Sequence, residues 1–168
     1  MGDYTGFRTK VTVKPECREL ITALHDEHDW AAVLGAAERI KADSNLIKAV
    51  SIWGYLFRSG FIPFGMHCYI PEDWGDSFSR YDEKSGVWEF SCSLKNYENE
   101  IETFMNDLFP LLIESCTYCE KLSEYWSESK FYEFSRGAFV KKEKAVPFRP
   151  RLFRKLIKKE TEENEKGI

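Results

Sequence analysis

The chain has 168 residues, a formal net charge of −4, 43% hydrophobic and 31% charged residues. That length suits one domain with a sizeable core, and that balance excludes an intrinsically disordered chain. Its longest apolar runs, such as Phe109 to Ile113, are too short to cross a bilayer, which argues against a membrane-spanning helix.

Charge and cysteines narrow the class further. Residues 141–168 carry ten Lys and Arg against five Asp and Glu, so the rest of the chain stands at −9. An acidic body with a basic tail lacks the basic face of a general nucleic-acid binder. The five cysteines are odd in number and scattered, which fits reduced thiols rather than a disulfide framework. Residues Met1 to Lys14 have no apolar signal core, so a cytoplasmic location is expected. Aromatic residues make up 15% of the chain, more than a small domain hides with ease, so some are available for a partner.

In chain order, Phe7, Thr9, Val11 and Val13 alternate with polar residues and predict a strand. Pro15 opens a helix that runs to about Trp30 with Leu20, Ile21 and Leu24 on its buried side. A second helical stretch follows over 31–42, and a third covers roughly Asp43 to Ser59 with Trp53 and Phe57 inward. Pro63 marks 61–65 as a strand edge, with Met66 to Ile70 continuing that strand. Residues 71–84 read as an acidic loop carrying Trp74, Phe78 and Tyr81. Trp88, Phe90, Cys92 and Leu94 give the clearest strand in the chain.

Asn96 caps the next helix, whose stripe runs from Tyr97 to Leu112 with a kink at Pro110. Ser115 to Leu122 forms a strand, and a hairpin turns at Arg136-Gly137. The predicted fold class is α+β: an antiparallel sheet with helices on one face, a ferredoxin-like sandwich with an added C-terminal hairpin and tail helix. Residues 1–144 make the domain, and 145–168 form a basic amphipathic tail of helical potential.

Four side chains invite a metal reading. His25 and His28 would share a helix face, and with Cys116 and Cys119 they would supply the donor set that zinc prefers. The cysteines, however, fall three apart in a strand, where they point to opposite faces unless a turn intervenes. No phosphate-cradling loop or nucleophile motif occurs, so neither an enzyme nor a cofactor is expected. A nucleic-acid module would stack bases on Trp88 and Phe90, yet Glu89 sits between them and the body is acidic.

Protein binding accounts for more of the pattern. Trp74, Phe78, Tyr81 and Trp126 place rings among acids in irregular segments, as anchors within a charged rim would be. The competing reading folds that loop back so that its rings cover the sheet. Arg151, Arg154 and Lys158 give the tail a basic contact, whether with this body, a second copy or an acidic partner.

The segments Phe61-Ile62-Pro63-Phe64-Gly65 to Tyr69, Trp74, Val87-Trp88-Glu89-Phe90, Ser93-Leu94-Lys95-Asn96-Tyr97 and Glu100-Ile101-Glu102 form one pattern. Over residues 4 to 140 it resembles small accessory proteins carried by phages and other mobile elements of Gram-positive bacteria, a family with no assigned reaction. The resemblance implies a counter-defence inhibitor of the anti-CRISPR or anti-restriction type. Its partner would be a host protein, including nucleic-acid-handling defence effectors, with neither membrane nor direct nucleic-acid contact. A homodimer is compatible with the same pattern.

Overall fold

Residues 3–143 are described in the computed structural model of the chain. They form an α+β fold around a six-stranded, fully antiparallel sheet in the order β2-β3-β1-β4-β5-β6. The tail expected over 145–168, with Arg151, Arg154 and Lys158, lies outside these residues.

Strand β1 (Tyr4–Val13) takes the centre because its inward residues Phe7, Thr9, Val11 and Val13 are apolar or hydrogen-bonded to a neighbouring strand. Phe7 and Val11 are buried, and the Thr9 hydroxyl donates to the Tyr118 carbonyl at 2.7 Å. After a turn at Pro15–Cys17 come α1 (Arg18–Glu27), α2 (Trp30–Arg39) and α3 (Ser44–Tyr55). His28 ends α1 in a left-handed conformation, a little short of the expected Trp30, and α2 falls largely within the helical stretch expected over 31–42. Asp29 and Asp43 then accept backbone N–H bonds from Ala31 and Asn45, starting α2 and α3.

Three expectations fail between residues 56 and 84. Helix α3 ends at Tyr55, short of Ser59, because Leu56 turns extended at ψ 133°. Phe61–Phe64 is a helical turn with a cis Ile62–Pro63 peptide, and residues 66–70 form no strand. The strand lies later: β2 (Phe78–Asp82) falls inside the expected loop and pairs with β3 (Val87–Lys95). Short, half-buried edge strands carry weak alternation, so the acidic composition of this segment masked it.

Helix α4 covers 100–112, passing from Glu100–Thr103 through a π-helical stretch, Phe104–Leu108, to Phe109–Leu112 with Pro110 in its first turn. Asn96 does help to start it, from outside the helix, by accepting from Ile101 N–H and donating to Glu102. Strands β4 (Ile113–Ser123), β5 (Lys130–Ser135) and β6 (Ala138–Lys142) complete the sheet, the last two joined at Arg136-Gly137 as expected.

The helices cover one face. Phe7, Trp88 and Phe90 meet Phe104 and Phe109 there, with ring centroids 4.7–6.4 Å apart. Each such fully buried ring contributes roughly 2–3 kcal/mol of burial. The opposite face is not left open. Residues 65–77 cross it as a strap, with Trp74 buried and His67 bridging to Ser91.

Candidate functional site

The strap exists because the sheet beneath it lacks side chains in one place and carries charge in another. Gly6 leaves a hollow; a Cβ there would lie 2.8 Å from the Trp74 ring and 2.9 Å from Ile70 Cδ1. Arg8, next on that face, stacks its guanidinium 4.0 Å over Trp74. Its Nε donates to Glu120 at 2.5 Å, and the Tyr118 hydroxyl donates to the same carboxylate. Burial, reinforced by that hydrogen bond, pushes the Tyr118 phenol far above its usual range. Trp74, Arg8, Glu120 and Tyr118 thus form a sealed polar cluster with aromatic walls.

Trp74 is only 4% exposed, so it is a structural wall and not the outward anchor expected from the sequence. The loop folds back over the sheet, the competing outcome. Phe78, Tyr81 and Trp126 are half-buried. Arg80 covers Phe78 at 4.3 Å, and Tyr81 stacks on His25 while its hydroxyl donates to the Arg18 carbonyl. Lys130 lies 3.5 Å from the Trp126 ring centre. Cations and neighbouring rings occupy these faces, which takes them out of the first rank of anchors.

The four candidate metal ligands do not converge. His25 bridges Ile21 and Ser79, and beside it His28 packs its exposed ring on Phe64 at 4.5 Å. Cys116 and Cys119 lie on β4, with β3 and β1 between them and β2. Among the described residues no group of three or more His, Cys, Asp or Glu is placed to hold a metal ion. One detail differs from expectation. The register slips between Tyr118↔Lys10 and Cys116↔Val11, leaving Thr117 as a bulge that turns both thiols to one face. There the hydrogen bond from Cys119 lowers the Cys116 pKa against the opposing effect of burial. Trp88 and Phe90 are fully buried toward the helices, so neither can stack a base.

The exposed aromatic surface sits elsewhere, beside the end of β3. Where α3 gives way at Leu56, Phe57 swings outward and is 83% exposed. Met66 is 77% exposed and Tyr69 75%. A groove of about 470 Å³ runs among Phe57, Phe61, Met66, Leu94 and Tyr4. Tyr69 packs on Tyr4 at 5.2 Å and extends the wall, while Arg58 lies between the rings of Phe57 and Tyr97 at 5.2 and 5.0 Å. Glu100, itself buried, accepts from Arg58 at 2.8 Å and from the Glu98 N–H, which holds the guanidinium in place.

Gly65 makes the groove possible. Its carbonyl accepts from Ser93 N–H at 3.2 Å, and a Cβ at Gly65 would meet the Ser93 carbonyl at 2.3 Å, so no larger residue permits this approach of strap to strand. Reading Phe57 on the inward side of a helix assigned it to the interior, and reading Met66 to Ile70 as a strand gave no sign that Met66 and Tyr69 border a groove. The signal available was the density of apolar residues around Gly60 and Gly65, more than the core could take from so short a turn.

Comparison with protein-family models, curated proteins and solved structures gave no match to this chain. No helix among the described residues is long and apolar enough to cross a membrane.

Proposed function

We propose that this chain is a non-catalytic protein-binding accessory protein of a phage or mobile element, a cytoplasmic counter-defence inhibitor of anti-CRISPR or anti-restriction type that occludes a host protein. The groove beside β3 carries the reading. Phe57, Phe61, Met66 and Tyr69 expose large apolar surface on a rigid frame, and such residues are enriched in binding hot spots and costly to leave in water. Rigid presentation supports it too, because Arg58 is clamped by Glu100 and the strap is bonded to the sheet. The succession strand, helices, two strands, helix, strand supports a ferredoxin-like frame with an added hairpin.

The test is capture of a host protein by the immobilised chain, with a defence-interference assay in parallel. Replacing Phe57 and Met66 by Ser should weaken capture about tenfold or more, at roughly 1.4 kcal/mol per factor of ten, with an unchanged thermal midpoint. Capture should also shield the exposed thiol of Cys68, which lines the groove, from iodoacetamide. Undiminished capture and interference by the double variant would remove the groove from the mechanism.

A further inference from the structure

The proposal that the chain binds a protein leaves open what chemistry the groove selects. The charged side chains lining it are Arg58 and Lys95, both cationic. This is a local reversal, because residues 1–140 carry −9. Lys95 holds its ammonium 5.4 Å over the Tyr4 ring, while Arg58 lies in its own clamp of Phe57 and Tyr97. Glu100 takes one terminal nitrogen of Arg58 but is itself sealed, so its charge is turned inward while the Arg58 side chain stays 17% exposed. The apolar floor of the groove is made by Leu94, Phe61, Phe64 and Met66.

The backbone adds direction. β2 pairs with β3 only as far as Ser91, and the Gly65 carbonyl then takes the Ser93 N–H. Lys95 lies beyond both, so among the described residues the outer edge of β3 has no strand partner at the groove. The strap takes the edge at Ser93, so an extended segment laid there would meet the backbone of Lys95 and place alternate side chains onto the apolar floor.

We infer that the groove takes an extended acidic peptide segment of the partner protein, with a large apolar side chain seated on the floor and carboxylates on either side facing Arg58 and Lys95. The inference rests on the protein-binding reading and adds the charge and form of the bound segment. A phosphate backbone fits less well, since beyond the groove it would run onto an acidic body.

Selection of a displayed random decapeptide library on the immobilised full chain tests this directly. Enriched peptides should carry Asp or Glu flanking Phe, Leu, Ile or Trp. A synthesised enriched peptide should bind about tenfold more weakly to Lys95→Glu, and the difference should shrink in 1 M salt as the charges are screened. The variant's own selection should shift toward Lys and Arg. Phe61→Ser should weaken every selected peptide, as a control for the floor. Enrichment of neutral or basic peptides on the wild type, failure to enrich any peptide, or an oligodeoxythymidine that competes with the peptide at equal concentration would each overturn the inference. Those outcomes are separable from failure of the protein-binding reading, which is judged by host-protein capture with the Phe57 and Met66 variants.

Discussion

Glu120 is 3% exposed and accepts from both Arg8 and Tyr118, so its carboxylate balances a buried cation. Removing one member of such a pair is far costlier than the pair is stabilising, because the survivor stays buried and uncompensated. Glu120→Ala should therefore cost about 3–5 kcal/mol in a urea titration. Glu120→Gln, which keeps acceptor capacity but not charge, should cost less than the alanine variant. A loss below about 1 kcal/mol for Glu120→Ala would mean that Arg8 reaches water and that the strap does not seal it. Trp74 takes part in the same arrangement: its ring fills the hollow at Gly6 and covers the guanidinium, which is why an aromatic residue in an acidic loop ended up inside.

At the scale of elements, the strap over 65–77 is held by few bonds, and His67 makes two of them, to the Gly75 carbonyl and the Ser91 hydroxyl at 2.7 and 2.9 Å. Burial lowers the His67 pKa below the ordinary 6.5, outweighing the bond to Gly75 that works the other way. A base whose folded pKa is depressed binds fewer protons folded than unfolded, so its contribution is complete above pH 6.5 and declines as pH falls through the lowered value. His25 is lowered by burial in the same direction. The urea midpoint should thus fall between pH 7.5 and pH 5, and His67→Gln should flatten that fall without abolishing it. An identical midpoint at both pH values would show the strap to be indifferent to the imidazole charge. The Glu102 carboxyl, lowered by Asn96 and Lys121 hydrogen bonds despite the larger opposing effect of burial, acts below its ordinary 4.5 and leaves this window clear.

Across the whole molecule, stability is graded outward from β1. That strand is paired on both sides over nearly its full length, whereas β5 joins β4 through two residue pairs only, Glu120↔Phe131 and Lys121↔Lys130. Few long-range pairings mean cheap local opening. Backbone amides of β5 and β6 should exchange with deuterium before those of β1 and β3 by orders of magnitude, although Phe139 stacks on Phe109 at 5.3 Å. Uniform protection across all six strands would contradict this. The groove lies at the end of β3, on the well-supported side of that gradient, which suits the proposed binding of a partner without rearrangement.

The central strands, the helices and the final hairpin were legible in the sequence. Phe7 to Val13 and Trp88 to Leu94 alternate because one face is always buried, and the helical stripe around Phe104 repeats with the turn. These are local consequences of period, and a chain carries its own period. The site was not legible in that way. Whether Phe57 faces in or out depends on one residue, Leu56, turning extended, and whether Trp74 is an anchor or a wall depends on Gly6 lying beneath it, 68 positions earlier in the chain. The bulge at Thr117 likewise turned two thiols to one face against the spacing rule. Composition and periodicity decided which elements form and which of their faces are apolar. Only the packing of distant segments, where hollow meets ring and charge meets counter-charge, decided which aromatic residues remained at the surface.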